Sequence, residues 1–257
     1  MGMINYISKN AFLLSELVKK GIKLKYRRSY LGILWSLIEP IISTIVLVIV
    51  FGTLFKTDTK TYPLFIIIGR LFFSFFQVGT TNAMVAIRSN GEMIKKVYVP
   101  KYLYPLAHVI FSFIIFLISL IVLVGVDVFC QVVPTWHIIQ FIPAILLLFL
   151  LTLGCGTILS VLNVFFRDIE YIWNVLCMIL MYMSAVFYYP DSILQSQFGW
   201  ILKINPIYHI TTMARDAFFG NPMDIVGFLY SCGFIAVVLI VGSIFFYKQK
   251  NKFVLYL

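Results

Sequence analysis

The chain has 257 residues, of which 61% are hydrophobic and only 12% are charged, and its mean hydropathy is +0.99. A soluble domain has about 25% charged residues, and a disordered chain has far fewer large apolar residues, so both classes are excluded. In so apolar a chain, the net charge of +10 is interpreted first as a signal of membrane orientation and contact with the anionic inner leaflet, and only then as a sign of nucleic-acid binding. The four cysteines are widely spaced among apolar neighbours, which argues against a metal site.

Residues 1–33 have the pattern of an amphipathic helix. Charged side chains recur on one helical face, and leucine, isoleucine and valine occupy the opposite arc. The charged residues are Glu16, Lys20, Lys23 and Arg27, and the apolar ones are Leu14, Leu17, Val18, Ile22 and Leu24. Residues 1–33 lack the compact apolar run followed by small residues that is typical of a cleavable signal peptide, so none is predicted. We predict a cytoplasmic helix lying on the inner leaflet, with a simple basic flank as the alternative.

Residues 34–257 predict an all-α, polytopic membrane domain. A membrane span needs about 20 mostly apolar residues, and six stretches are candidates. They cover residues 34–55, 62–87, 105–129, 138–163, 171–187 and 225–247. We predict that all six stretches are transmembrane helices, although the second contains Arg70 and the fifth is short.

Positive charge is distributed unequally between the two sides that these spans define. With both termini cytoplasmic, the cytoplasmic segments contain 15 Lys and Arg residues and the external segments contain 4. Because positively charged loops are retained on the cytoplasmic side, this bias predicts that both termini are cytoplasmic. The expected location is the cytoplasmic (inner) membrane.

Several polar and small residues lie inside the predicted spans. Charged groups are costly there, so Glu39, next to Pro40 in span one, and Arg70 in span two are functional candidates. The alternatives are that Glu39 caps the helix near the boundary and that Arg70 extends outward to the interface. Gly156 and Ser160 have the spacing of close helix packing.

The loop of residues 88–104 predicts a short cytoplasmic helix. Ser89 and Glu92 have capping-box spacing, and Pro100 should end the helix at Val99. The predicted helix of about two turns contains apolar Met93, Ile94, Val97 and Tyr98 beside Lys95 and Lys96. A free loop has little reason to expose four apolar residues, so we predict docking on a partner protein. Burial among lipid headgroups is the alternative.

The chain carries no motif for catalysis. No glycine is followed by lysine, so a phosphate-binding P-loop is absent, as are GxSxG and HExxH motifs. Asp168 and Glu170 form an isolated pair of acids of the kind that holds a metal in some membrane transferases. Pairing of these acids with Arg167 in a solvated loop is the favoured interpretation. We predict that the chain is not an enzyme and holds no cofactor.

Residues 188–224 form a half-apolar segment that precedes the last span. Pro190, Gly199 and Pro206 interrupt it, so two short re-entrant or interfacial helices are predicted instead of a span. An aromatic cluster lies at its start: Tyr182, Phe187, Tyr188 and Tyr189. Aromatic rings stack on sugar C–H faces and tyrosine adds a hydroxyl, so the cluster suits a glycan path. An interfacial aromatic belt is the alternative.

Blocks of sequence follow one another along nearly the whole chain: residues 24–40 with 50–52, 93–100, 163–171, 184–190, 205–206 and 214–215. The first reads LKYRRSYLGILWSLIEP and the second MIKKVYVP. Together they resemble the ABC-2 type permeases that export polysaccharides, which include O-antigen, capsule and teichoic acid exporters. The resemblance implies six spans, an amphipathic N-terminal helix and a homodimer. It also implies two copies of a separate cytoplasmic ATPase that hold ATP and Mg.

The resemblance also implies roles for particular residues. Segment 88–104 corresponds to the coupling helix of the family, and the loop at 167–170 is expected to act with it. The implied ATPase-coupling residues are Glu92, Met93, Ile94, Lys95, Lys96, Val97, Tyr98, Arg167, Asp168 and Glu170. Spans one and five would line the channel, and residues 188–224 would form external gate helices. The implied channel and gate residues are Trp35, Glu39, Pro40, Tyr182, Phe187, Tyr188, Tyr189, Asn205, Pro206 and Arg215. Arg70 departs from the family, which is usually apolar there.

The predicted function is that of the transmembrane permease of an ATP-driven exporter. Its cargo would be a lipid-linked polysaccharide or a teichoic-acid-like polymer. An ABC-2 exporter of a small molecule or lipid is the alternative, and a membrane-embedded transferase is a further one. No nucleic-acid partner is expected, because the basic residues flank spans instead of forming one face.

Overall fold

The structure is a computed structural model that describes residues 3–27, 29–55, 60–96, 99–133 and 135–256. In chain order, the helices are α1 (Met3–Tyr26), α2 (Trp35–Phe55), α3 (Tyr62–Ser89), α4 (Gly91–Lys96), α5 (Leu103–Cys130), α6 (Phe141–Phe165), α7 (Ile169–Tyr182), α8 (Asp191–Leu194), α9 (Gly199–Ile204), α10 (Pro206–Phe219), α11 (Ile225–Gln249) and α12 (Phe253–Tyr256). Short 3-10 turns lead into α2 and α6. The described residues contain no strand, and the predicted all-α class is confirmed.

Five helical stretches are long and apolar enough to span a membrane: Gly32–Leu54, Tyr62–Ser89, Leu103–Cys130, Trp136–Phe165 and Ile225–Gln249. They agree with five of the six predicted spans. The predicted span at 171–187 is wrong as a single helix, because α7 ends at Tyr182 after 14 residues. That length corresponds to about 21 Å. Turns and bends follow the helix from residue 183, and Ala185 within them has a left-handed backbone with a φ of 49°.

Helix α3 is the centre of the bundle and packs against α5 and α6. Close approach depends on small residues, since an ideal Cβ on Gly156 of α6 would lie 2.7 Å from the Cβ of Ala83 of α3. A Cβ on Gly154 would lie 2.8 Å from Val238 Cγ1 of α11. The close helix packing predicted for this part of α6 is confirmed.

Helix α1 carries the predicted amphipathic pattern, but protein covers part of its apolar side. Val18 is buried against Ala107 and Phe111 of α5, and Leu14 and Leu17 pack beside it. The apolar side of α1 is thus in contact with α5 and not with lipid alone, because α5 extends alongside it. The position of α1 on the inner leaflet stays a prediction.

Candidate functional site

Helix α4 turns its apolar side toward its own chain. Met93 and Ile94 are half-buried and pack against the buried cluster that contains Val99 and Leu103. The exposed side chains of α4 are those of Glu92, Lys95 and Lys96. The protein itself thus covers part of Met93 and Ile94, and their predicted docking on a partner protein stays a prediction. Val97 and Tyr98 lie outside the described residues.

The start of α4 also differs from the prediction. Ser89 is the last residue of α3, and its hydroxyl donates to the Ala86 carbonyl at 3.3 Å. The Asn90 side-chain amide donates to the same carbonyl at 2.8 Å. The predicted capping box is wrong, because α3 continues to Ser89 and α4 begins afresh at Gly91.

An ion pair joins the end of α3 to the start of α7. Arg88 Nη2 contacts Glu170 Oε1, and Asn163 Nδ2 donates to the same carboxylate oxygen at 3.0 Å. The expected pairing of Glu170 with Arg167 is wrong, because Arg88 comes from a distant part of the chain to take that place. Arg167 and Asp168 are exposed next to this ion pair. The two segments predicted to couple to an ATPase, α4 and residues 167–170, thus lie at the same end of the bundle.

Helices α2 and α7 present a largely uncovered apolar surface, which we call the α2–α7 face. Only 11% of the α2 span is buried inside the protein, compared with 72% of the α3 span. The only buried residue of α7 is Cys177, within the described residues. A groove of about 560 Å³ runs between α2, α3 and α7 and is lined by Ser43, Gln77 and Met181 among others. This face is available for lipid or for a second chain.

The Arg70 side chain lies between two cavities beside α2. Its Nη2 atom is 3.8 Å from Glu39 Oε1, and its side chain is 25% exposed whereas that of Glu39 is 69% exposed. Arg70 lines both the α2–α3–α7 groove and a cavity of about 130 Å³ that Trp35 also borders. The outward extension considered for Arg70 is wrong, because its guanidinium turns sideways to α2. So exposed a pair contributes at most about 1 kcal/mol to stability.

Pro40 explains how α2 is attached to α5. Proline has no N–H, so the Ser36 carbonyl loses its usual partner one helical turn later. The Ser119 hydroxyl of α5 donates to that carbonyl at 2.9 Å. Both Pro40 and Ser36 are buried. The start of α2, next to Trp35 and Glu39, is held in place by this contact.

Residues 183–190 form an irregular segment whose carbonyls are bound by side chains from other helices. Tyr62 donates to the Phe187 carbonyl at 2.7 Å. Arg215 Nη2 donates to the Val186 carbonyl at 3.1 Å, and Asn205 Nδ2 donates to the Met183 carbonyl at 3.0 Å. Irregular backbone at membrane depth is tolerated when protein groups satisfy it in this way.

Arg215 is buried, with 4% of its surface exposed. Its Nε donates to the Phe65 carbonyl at 3.3 Å, and its guanidinium carbon lies 3.5 Å from the centre of the Phe65 ring. A Cβ on Gly69 would collide with Arg215 Nη2 and lie 3.1 Å from the Val186 carbonyl oxygen. Sequence reasoning missed Tyr62 and Gly69, whose only signal is that their spacing places them on one face of α3.

The predicted channel and gate residues separate into exposed and buried groups. The exposed ones are Trp35, Glu39, Tyr182 and Tyr189, the half-buried ones are Tyr188 and Pro206, and the buried ones are Pro40, Phe187, Asn205 and Arg215. Phe187 lines the α2–α3–α7 groove and stacks on Phe51 of α2, with 5.0 Å between ring centres. Asn205 and Arg215 are buried and bind carbonyls of the irregular segment, and their predicted role in the channel or gate stays a prediction. The segment 188–224 forms three helices, not two.

Comparison with known proteins gives a consistent picture. Residues 13–219 match the family model described as ABC-2 type transporter. The chain is 29% identical over 244 residues to the O-antigen export system permease protein RfbA of Klebsiella pneumoniae, covering 94% of this chain and 93% of that protein. It is 27% identical to the protein of the same name from Myxococcus xanthus, with 94% of each chain covered. It is 23% identical to the polysialic acid transport protein KpsM of Escherichia coli, covering 87% of this chain and 88% of KpsM.

Proposed function

The chain belongs to the ABC-2 type transporter family, and we propose that it is the transmembrane permease subunit of an ATP-driven exporter of a lipid-linked polysaccharide. The observation that carries this proposal is the extent of the similarity. Relatives named as O-antigen export permeases align over 94% of this chain and over nearly all of their own length. The cargo is an O-antigen-like or capsule-like polymer, and the range extends to teichoic-acid-like polymers.

The proposed topology has six membrane crossings in the cytoplasmic membrane, with both termini cytoplasmic. Helix α7, at about 21 Å, is too short to cross alone, so residues 183–190 complete the fifth crossing. The bonds from Tyr62, Asn205 and Arg215 support this assignment, because they satisfy the carbonyls of that segment. Helices α8, α9 and α10 then form the external gate segment. The ratio of 15 to 4 basic residues supports the orientation.

The polymer passes between two copies of this chain, which form a homodimer through their α2–α7 faces. The low burial of α2 supports this arrangement, since a helix so uncovered needs either lipid or a partner. Trp35 and Tyr182 supply exposed rings on this face, and the Glu39–Arg70 pair supplies charge of both signs. Rings for sugar C–H faces and polar groups for hydroxyls suit a path that guides a glycan without holding it.

The energy comes from a separate cytoplasmic ATPase, two copies of which bind ATP and Mg and contact this chain at α4 and at residues 167–170. The contact surface is charged, and its exposed residues are Glu92, Lys95, Lys96, Arg167 and Asp168. The Arg88–Glu170 ion pair supports the proposal, because it links α4, through the end of α3, to α7. A push on α4 would thus reach a helix that borders the α2–α3–α7 groove.

The decisive experiment neutralises two exposed lysines of α4. The variant Lys95→Gln with Lys96→Gln is co-expressed with the ATPase, and the measurements are ATPase recovered with the permease, ATP turnover and glycan export. The control variant, Lys19→Gln with Lys23→Gln, removes the same charge from exposed positions on α1. We expect the α4 variant to lose most of the bound ATPase and the control to retain it.

Equal ATPase recovery from both variants would reject α4 as the coupling helix. The cargo is tested separately in proteoliposomes that contain the intact complex. Stimulation of ATP turnover by lipid-linked glycan is the expected result. Stimulation by small lipophilic compounds and none by glycan would favour the small-molecule exporter.

A further inference from the structure

A second groove, apart from the α2–α7 face, opens between α5, α6 and α11. Its volume is about 660 Å³, and it borders the residues that follow α4. Its walls are mostly apolar and include Leu106, Leu153, Leu239 and Phe246. Such walls suit a hydrocarbon chain, and the position of the groove at the ends of α5 and α11 exposes its mouth to the polar headgroup region.

Two lysines stand at the mouth of this groove. Lys101 Nζ donates to the backbone carbonyl of Lys250 at 2.6 Å, and Lys250 Nζ lies 3.8 Å from the centre of the Tyr247 ring. Neither lysine takes part in an ion pair with any acid among the described residues. Burial lowers the pKa of Lys101 from its ordinary value, and the charge of Lys250 lowers this pKa further. Two positive charges thus lie close together, and no acid of the described residues pairs with either of them.

We propose that this groove binds an anionic phospholipid of the cytoplasmic leaflet, with its headgroup phosphate between Lys101 and Lys250 and its acyl chains along the apolar walls. The assignment of this lipid to the cytoplasmic leaflet rests on the topology proposed above. Basic pockets between helices at the cytoplasmic side are a known way of binding anionic headgroups. Tyr102 and Asn251 also line the groove and add a hydroxyl and an amide near the headgroup.

The combination of walls and charges selects this ligand over simpler ones. A soluble anion would satisfy the lysines but leave the apolar walls in water. A zwitterionic lipid would fill the walls but bring its own cation toward the two ammonium groups. Because Ile94, Val99 and Pro100 also line the groove, the bound lipid would contact the segment that connects α4 to α5.

The test uses the purified full-length permease without ATPase or glycan. The protein is incubated in detergent with phosphatidylglycerol or with phosphatidylcholine of the same acyl chains, and lipid retention is measured by native mass spectrometry. Thermal unfolding is followed in parallel, with an added arm of inorganic phosphate. We expect preferential retention of phosphatidylglycerol and a higher unfolding temperature in its presence, with no such effect of phosphate.

The variant Lys101→Gln with Lys250→Gln should lose roughly tenfold or more of that preference, since each lysine near an anionic headgroup contributes severalfold. Lys250→Gln alone, which keeps the Lys101 ammonium and the backbone carbonyl that accepts from it, is the second variant in case the pair folds poorly. Lys248→Gln is the control, because Lys248 is exposed on the same helix and does not line the groove. Equal retention of both lipids, an unchanged preference in both groove variants, or an equal effect of phosphate overturns the proposal. None of these results depends on transport, so each leaves the proposed function to its own test.

Discussion

The irregular segment 183–190 and the α4 end of the molecule both interrupt the long helices, but they are held by different forces. The first is enclosed, and its carbonyls accept hydrogen bonds from Tyr62, Asn205 and Arg215. The second is joined to α7 by the Arg88–Glu170 pair, whose side chains are 36% and 29% exposed. One region is fixed from inside the protein, and the other is held by charges near its surface.

Because of this difference, we expect substitutions in the first region to affect the stability of the protein and substitutions in the second to affect its proposed coupling to the ATPase. A buried hydrogen bond that loses its donor leaves an unsatisfied group and costs about 1–3 kcal/mol. A partly exposed ion pair contributes at most about 1 kcal/mol, because water competes for both partners. Substitutions around residues 183–190 should therefore lower the stability of the protein, whereas substitutions at the α4 end should change its stability little and alter its response to the proposed ATPase.

The largest expected effect follows from Gly69→Ala. The new methyl group would occupy the space of Arg215 Nη2 and press on Val186, so the variant should lose about 2–3 kcal/mol of stability. Thermal unfolding in detergent measures the loss. Gly125→Ala is the matched control, because a Cβ there meets nothing within 4 Å. If Gly69→Ala melted like Gly125→Ala, the packing around Arg215 would be looser than the structure shows.

A slightly smaller loss is expected for Asn205→Ala. The Asn205 side chain accepts from the Ile207 N–H at the start of α10 and donates to the Met183 carbonyl, so both the helix cap and the buried bond disappear. The expected cost is about 2 kcal/mol. Asn205→Ser keeps an acceptor for the cap and should recover part of the loss in the same unfolding assay. Equal melting of Asn205→Ser and the native protein would mean that the bond to Met183 contributes nothing.

A third substitution, Ser119→Ala, tests the hydrogen bond that attaches the start of α2 to α5. Removal of the hydroxyl leaves the Ser36 carbonyl, already deprived of its helical partner by Pro40, without a donor. The expected loss is about 1 kcal/mol. Ser43→Ala serves as the comparison, since among the described residues the Ser43 hydroxyl bonds to the Pro40 carbonyl of its own helix and to no other helix. A larger loss for Ser43→Ala than for Ser119→Ala would show that the bond between α5 and the Ser36 carbonyl does not hold the start of α2 in place.

The smallest change in stability, below about 1 kcal/mol, is expected when the charges of Arg88 and Glu170 are altered. Glu170→Lys should nevertheless reduce glycan export by the complex with its ATPase, because like charges would push α7 away from α3. Adding Arg88→Glu restores opposite charges and should recover part of the export. Export by Glu170→Lys at the level of the native protein would show that this contact does not transmit movement.

The features that the sequence predicted correctly depend on neighbours along the chain. Five long spans follow from apolar runs of sufficient length, and the amphipathic pattern of α1 follows from helical periodicity. Small residues such as Gly156 predicted close packing because only a missing side chain allows backbones to approach. Membrane class and the all-α architecture thus required no knowledge of tertiary contacts.

The errors arose where a residue's partner is distant in sequence. Arg70 pairs with Glu39 on another helix, and Glu170 pairs with Arg88 instead of adjacent Arg167. The Met93 side chain, which a free loop would expose, is half-buried against residues of the same protein that no local pattern could identify. In each case the interpretation considered a free loop or an isolated span, and the assembled bundle supplied the partner.

Composition and periodicity therefore determined that this chain is a helical membrane protein and which stretches are long and apolar enough to span a bilayer, because burial in lipid acts on each apolar run independently. Tertiary structure alone decided where the apolar run at 171–187 leaves the helix and which of its aromatic and polar residues stay exposed. Ala185 leaves the helix, and carbonyls at 183–187 accept bonds from side chains of α3 and α10 and from the Asn205 cap. Such bonds form only when helices that are remote in the sequence pack together, and no local pattern records them.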